Sequence, residues 1–112
     1  MGIQNWSENI ILVNLAAEPH LGDDLQTAID TAREHEDIDV VVDFADATIV
    51  TSSSIAKLLK LRKTLADNDR RLILSSVAPR TRNIFTVTGL DTVFEFVPDQ
   101  FLALAGLQMV TD

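Results

Sequence analysis

Apolar runs in this chain alternate with segments whose apolar residues recur every three or four positions. Nearly continuous apolar runs predict buried strands at 38–44 and 71–76, and two other runs predict a hairpin with strands at 3–6 and 10–15. A short alternating segment predicts a last strand at 93–97. Runs such as 38–44, apolar at consecutive positions, are typical of parallel strands that are covered on both faces.

Helical periodicity predicts helices at 22–35, 51–66, 79–88 and 98–107. Each helix is expected to bury one apolar face: Leu25, Ala28, Ile29 and Ala32 in the first, Ile55, Leu58, Leu59 and Leu65 in the second, and Phe101, Leu102 and Leu104 in the last. Strands that alternate with helices predict an α/β fold with right-handed crossovers. We therefore expect a mixed sheet of four to five strands with about four helices.

Length and composition narrow the class of protein. A chain of 112 residues is expected to form one domain over 1–112, with an N-terminal hairpin at 3–15 and a core at about 10–107. The sequence has no cysteine, which excludes disulfides and thiolate metal sites. It also lacks an apolar run of membrane-spanning length and a signal-peptide pattern at its start. We expect a soluble, cytoplasmic protein with no membrane partner.

The charge of the chain, formally −8, is distributed unevenly. Residues 1–56 hold eleven acidic residues against Arg33, whereas residues 57–82 hold eight basic residues against Asp67 and Asp69. A net negative field repels phosphate backbones, so nucleic acid is not an expected partner. A surface with separated charges suits a protein partner, because complementary charges steer encounter.

Four consecutive hydroxyl residues stand where the chain leaves the strand region and begins the second helix. Thr51, Ser52, Ser53 and Ser54, which we call the hydroxyl cluster, are residue types that cap a helix by accepting hydrogen bonds from its free N–H groups. The positive end of the helix dipole also tolerates a phosphate group. The hydroxyl cluster is therefore interpreted either as a plain cap or as a cap that is also phosphorylated.

The sequence lacks the residue patterns of metal sites, hydrolase sites and phosphate-binding loops. His20 and His35 have no second ligand at helical spacing, so neither zinc nor another metal is expected. No serine lies in a G-x-S-x-G turn, and the four glycines are scattered rather than grouped in a phosphate-binding loop. We expect no cofactor and no enzymatic activity.

The order of these motifs resembles the STAS domain, the domain of bacterial anti-sigma factor antagonists. The resemblance covers about 10–107 and rests on the strand ending in Asp43, the hydroxyl cluster at a helix start, and the segment 88–90 before a short strand containing Phe94. It implies the STAS fold.

Family members commonly carry the motif Asp-Ser-Ser-Gly, whose first serine accepts a phosphate. Laid over this sequence, Thr51 takes the aspartate position, Ser52 the acceptor position, Ser53 the second serine and Ser54 the glycine position. The resemblance thus implies phosphorylation of Ser52, with Ser53 and Thr51 as alternates.

Partner switching is the function that the resemblance implies. The unmodified domain binds an anti-sigma factor that is a serine kinase, phosphorylation prevents this binding, and an opposing phosphatase restores it. The expected partner-binding residues lie at the helix start and along its basic side: Thr51, Ser52, Ser53, Ser54, Ile55, Ala56, Lys57 and Lys60.

Three alternatives remain open at the sequence level. Lysines along a helix are usually a solvated face rather than a partner surface. A STAS module without a working acceptor would act as a scaffold in stress-signalling complexes or in the cytoplasmic parts of transporters. A small ligand such as a nucleotide would bind in the crevice at the carboxyl ends of the strands. A weak homodimer is also possible if the hairpin strand near Ile10 pairs across an edge.

Overall fold

The computed structural model describes residues 2–17 and 20–111, with side chains for 3–17 and 20–108. The strands are β1 (Gly2–Asn5), β2 (Ile10–Asn14), β3 (Asp39–Asp43), β4 (Leu72–Ser75) and β5 (Glu95–Val97). The helices are α1 (Leu21–Glu34), α2 (Ser52–Ala66), α3 (Pro79–Val87) and α4 (Gln100–Thr111).

The five strands form one sheet in the order β1-β2-β3-β4-β5. The β1–β2 pair is the antiparallel hairpin, whereas β3, β4 and β5 each pair in parallel with the strand before them. The predicted mixed α/β sheet with four helices is therefore confirmed, and the predicted elements lie within a few residues of those observed.

Side chains alternate between the two faces of the sheet and divide the core in two. Val40, Val42 and Leu74 point to the face that α1, α2 and α3 cover. Val41 and Ile73 point to the other face, which α4 covers. Because β2, β3 and β4 are each covered on both faces, they read as continuous apolar runs.

The buried face of α2 differs from the predicted one at two positions. Leu61 is fully buried, whereas Leu59, expected in the core, is exposed. The buried positions of α2, with Ser54 as the first, are spaced by four, three and four residues. Arg62 lies beside this buried face and not within it, and its Nε donates to the Val93 carbonyl at 2.9 Å.

The buried face of α4 was predicted correctly at Leu104 and incorrectly at Phe101 and Leu102. Phe101 and Leu102 are exposed, by 73% and 50%, while Ala103, Leu104 and Leu107 are buried. The helix is apolar on every side between Phe101 and Leu107, so its sequence contains no polar face that would indicate which side meets the sheet.

The expected dimer edge near Ile10 is likewise wrong. Ile10 begins β2, which pairs with β1 on one side and with β3 on the other. Its backbone groups are therefore already used within the sheet, and β1 is the edge strand of the hairpin.

Candidate functional site: the start of the second helix

Asp43 fixes the chain where β3 and β4 end. Its carboxylate is buried and accepts three hydrogen bonds: from the Ala45 amide at 2.9 Å, from Ser75 Oγ at 2.9 Å and from Ser76 Oγ at 2.9 Å. Ser76 has a φ of 59°, in the left-handed region that non-glycine residues seldom adopt. The contact with Asp43 holds that turn, so the structure assigns Asp43 to positioning the loops and not to orienting the hydroxyl cluster.

The loop from β3 to α2 is anchored at both sides of an exposed apolar residue. Thr81 of α3 is buried, and its Oγ1 donates to the Thr48 carbonyl at 2.8 Å. Ala47 and Val50 are buried, but Ile49 between them is 71% exposed. The loop thus presents one isoleucine side chain to solvent three residues before Ser52, a feature that the sequence analysis did not single out.

Thr51 is the N-cap of α2. Its φ of −101° and ψ of 168° are extended, and its Oγ1 accepts from the Ser54 amide at 3.2 Å. Ser54 is only 3% exposed, and its Oγ lies 3.0 Å from Thr51 Oγ1, within hydrogen-bond distance. Two members of the hydroxyl cluster are therefore engaged with each other in capping.

The other two members are exposed. Ser52 and Ser53 are the first two residues of α2, and neither side chain makes a hydrogen bond with another residue in the described part of the chain. Their amides belong to the first helical turn, whose N–H groups have no acceptor within the helix. An exposed hydroxyl beside free N–H groups is a suitable position for a phosphate group.

Ser52 and Ser53 lie on different faces of α2. At 3.6 residues per turn, Ser52 shares the solvent side with Ala56, Leu59 and Lys63, all of which are exposed. We call these four residues the outward stripe. Ser53 is rotated by about 100° toward the side that faces α1. The two serines are equal in chemistry and differ in the surface to which they belong.

The expected partner residues are not equally accessible. Thr51, Ala56 and Lys60 are exposed, but Ile55 is half-buried against the core. Ser54 lies inside because it faces the core in the first turn, so we remove its side chain from the expected partner surface.

The lysines of α2 also differ in accessibility. Lys57 is half-buried and donates to the Gly22 carbonyl at 3.2 Å, which ties α2 to the start of α1. Lys63 pairs with Asp67 at 3.1 Å. The ammonium of Lys60 is exposed, with no ion pair to another described residue. Lys60 is thus the lysine of the predicted surface that is best placed to meet an acidic partner.

The carboxyl ends of β4 and β5 border a cavity of about 330 Å³, lined by Val77, Arg82, Phe96, Val97 and Pro98. The Arg82 guanidinium lies 3.8 Å from the centre of the Phe96 ring. A nucleotide base cannot stack on the ring face that this guanidinium covers. The site at the start of α2 is therefore the more developed of the two candidates.

Two searches of the described residues bear on other kinds of site. Over 2–17 and 20–111, no three histidine, aspartate or glutamate side chains group in a way that could hold a metal ion. Within the same ranges, none of the helices has the length and apolar character needed to cross a membrane.

A family model described as "Mlab, STAS domain" matches residues 14–109 of the chain. The match covers the hydroxyl cluster and four of the five strands in whole or in part, so it includes the candidate site.

Solved structures show the same fold. An anti-sigma-factor antagonist (STAS) domain protein from Planctomyces limnophilus superposes with a TM-score of 0.81 at 17% identity, covering 96% of this chain and 99% of its own. The antagonist SpoIIAA matches in its unphosphorylated form with a TM-score of 0.74 at 16% identity, covering 95% of this chain and 96% of its own. The phosphorylated form of SpoIIAA, from Bacillus, matches with a TM-score of 0.71 at 17% identity, covering 94% of this chain and 96% of its own.

A sulfate transporter family protein from Wolinella succinogenes matches with a TM-score of 0.73 at 15% identity, covering 92% of this chain and 86% of its own. These TM-scores show that the chain shares one fold with proteins of different roles. Together with the family match over 14–109, the five-stranded sheet and the capped helix start, they show that this chain belongs to the STAS domain family.

Proposed function

We propose that this chain is a non-enzymatic, phospho-switchable binding module that acts as an anti-sigma factor antagonist. In its unmodified form it binds an anti-sigma factor that is a serine kinase, phosphorylation of Ser52 blocks the binding, and a phosphatase restores it. One observation carries the proposal: Ser52 is exposed at the first residue of α2, and its hydroxyl bonds no other described residue. Ser53 is the alternate acceptor, followed by Thr51, whose hydroxyl serves as the cap.

The start of α2 can hold a phosphate group without refolding. Phosphorylation adds about −1.5 to −2 charges and three acceptor oxygens. At the first residue of a helix these oxygens meet free N–H groups and the positive end of the dipole, an interaction typically worth 0.3–1 kcal/mol at an exposed site. Because Thr51 supplies the cap, the Ser52 hydroxyl is not required for the helix to begin.

A bound partner would respond differently. Ala56 and Leu59 of the outward stripe, together with Ile49, offer small and apolar side chains on the side of Ser52. Lys60 lies at the border of this surface. A partner that covers this surface removes it from water, and a phosphate buried there loses hydration without gaining an opposite charge. We therefore infer a steric and electrostatic block at the interface rather than a change of fold.

The two departures from the family motif are compatible with a working acceptor. Thr51 replaces the aspartate with another residue type that caps helices, and its Oγ1 contacts the Oγ of Ser54 at 3.0 Å. Ser54 replaces the glycine at a helical position whose φ is not positive, so the backbone does not require glycine there. The two substitutions support each other and leave Ser52 accessible.

Matched aspartate variants test the proposal. Ser52→Asp and Ser53→Asp add the same charge to the same helical turn, but only the first adds it to the outward stripe. Using calorimetry with an anti-sigma factor of the serine kinase type, we expect Ser52→Asp to weaken binding at least tenfold and Ser53→Asp to weaken it less than threefold. Equal affinities of wild type and Ser52→Asp would contradict the proposal, as would a spectrum of the Ser52→Asp variant that shows a refolded α2.

Scaffolding without phosphorylation is a second candidate. It is favoured by the absence of the family's carboxylate at Thr51 and by the likeness in fold to a sulfate transporter family protein. In that case a binding partner would still cover the outward stripe, but incubation with kinase and ATP would leave the hydroxyl cluster unmodified.

A further inference from the structure

The three arginines at the far end of α2 surround a cavity. It has a volume of about 210 Å³ and lies at the amino ends of β4 and β5, beside the last turn of α2. Arg62, Arg70 and Arg71 contribute to its lining, together with Glu95. Ser52 is ten residues before Arg62 along α2, a distance of about 15 Å. The cavity is therefore separate from the candidate switch and does not depend on it.

Each guanidinium is held in place by an acceptor of the protein. Arg62 donates from Nε to the Val93 carbonyl, and Arg70 donates from Nη2 to the buried Asp39 carboxylate at 3.0 Å. Arg71 forms a two-point pair with Glu95, at 3.0 Å from Nε and at 2.6 Å from Nη2. Since a guanidinium has five N–H donors, these contacts fix the three groups and leave donors unused.

One of the unused donors is buried. Arg70 Nε is shielded from solvent and has no hydrogen-bond partner among the residues that the structure describes. Buried polar groups in proteins are nearly always paired, so this donor leaves the hydrogen-bonding capacity of Arg70 only partly used. Arg70 itself belongs to the lining of the cavity.

The local charge favours an anion. Three arginines outweigh the carboxylates of Glu95 and Asp39, which gives this region a positive charge in a chain whose net charge is −8. The hydrogen bonds with Glu95 raise the pKa of Arg71 above its ordinary value, although its partial burial opposes this effect. A guanidinium group carries its positive charge throughout the physiological pH range.

We propose that this cavity binds a small oxyanion, the phosphate group of inorganic phosphate or of a phosphate monoester. Planar guanidinium groups donate pairs of parallel hydrogen bonds to phosphate oxygens. Three of them meet here, one from α2 and two from the loop between α2 and β4. The volume is below the roughly 300 Å³ at which pockets for drug-sized ligands begin, so it admits the ionic group and not a nucleoside attached to it.

The test follows the arginine Nε–H signals by NMR during a titration with inorganic phosphate at constant ionic strength. We expect a saturable shift at Arg70 and Arg62. Arg62→Gln removes an exposed cation of the cavity and should weaken binding about fivefold. Glu95→Gln removes the competing carboxylate and frees Arg71, so it should tighten binding about fivefold, a gain that loss of folding cannot produce.

Arg80→Gln is the matched control, because Arg80 is exposed on α3 and takes no part in this cavity. It should leave phosphate binding unchanged. Shifts that rise linearly without saturation would overturn the proposal, as would equal weakening in Arg62→Gln and Arg80→Gln or weaker binding in Glu95→Gln. A second titration with adenosine monophosphate should give an affinity within about threefold of phosphate. Much tighter binding would mean a nucleotide site and would overturn the assignment to a small oxyanion.

Discussion

A single buried carboxylate, Asp43, connects two segments that are distant in the sequence. It joins the loop before α2 to the turn after β4, because its oxygens bind the Ala45 amide and the hydroxyls of Ser75 and Ser76. In the sequence Asp43 is recognisable only as the acidic end of a strand. Its partners 32 and 33 residues away become apparent only when β3 and β4 lie side by side.

At the residue scale we predict that Asp43→Asn destabilises the fold by about 1.5–3 kcal/mol, since it weakens hydrogen bonds to a buried charged group. Urea unfolding measures the difference in the free energy of unfolding. Asp46→Asn is the control, because Asp46 is exposed in the same loop and should change stability by less than about 0.5 kcal/mol. Similar values for the two variants would remove the structural role assigned to Asp43.

The beginning of α2 depends on one cap, and the next prediction concerns this element. Thr51→Ala removes the acceptor of the Ser54 amide and leaves the buried Ser54 hydroxyl without its neighbour. We expect a loss of about 1–2 kcal/mol in the free energy of unfolding. Thr51→Ser keeps an oxygen at the same position and should stay within about 0.5 kcal/mol of wild type. An unchanged free energy of unfolding in Thr51→Ala would show that the Thr51 cap does not stabilise the fold.

Helix α4 allows a test of the corrected core. Leu104 is buried against the sheet, whereas Phe101 is 73% exposed although both are large apolar residues of one helix. We expect Leu104→Ala to lower the free energy of unfolding by about 2–5 kcal/mol. Phe101→Ala should lower it by less than about 0.5 kcal/mol. A loss for Phe101→Ala as large as that for Leu104→Ala, measured by urea unfolding, would mean that Phe101 also packs in the core, as first predicted from the sequence.

The helices and strands could be predicted where their sequence patterns are strong. Which face of a helix is buried could not always be predicted. The end of α3 is a clear case: the predicted helix ends at residue 88, and the observed one ends at Val87. Gly89, just past it, has a φ of 76°, and its amide donates to the Thr86 carbonyl while the Leu90 amide donates to the Phe85 carbonyl. In α4 the uniformly apolar sequence does not indicate which side is buried. In α2 both Leu59 and Leu61 are apolar, and the sequence does not indicate which of them lies in the core. The arginine cavity could not be predicted, because it combines residues from three elements.

At the scale of the whole molecule, the separation of charge affects the rate at which a partner associates. Lys60 belongs to the basic stretch 57–82 of a protein whose net charge is −8, and it lies at the border of the proposed surface. We expect Lys60→Ala to slow association with an acidic partner surface about two- to fivefold at low salt, and less at 0.5 M salt because charges are then screened. Stopped-flow association rates measure this. Arg80→Ala makes the same change of charge on α3, and an equal slowing there would assign the effect to net charge alone.

From the fold, the Thr51 cap and the exposure of Ser52, we expect that a kinase can modify Ser52 while α2 stays intact. Tandem mass spectrometry after incubation with a serine kinase of the anti-sigma type and ATP tests it most directly. We predict phosphate on Ser52, with none on the buried Ser54, and loss of the signal in Ser52→Ala but not in Ser53→Ala. An unmodified hydroxyl cluster, with a kinase that phosphorylates another antagonist in the same reaction, would contradict the account.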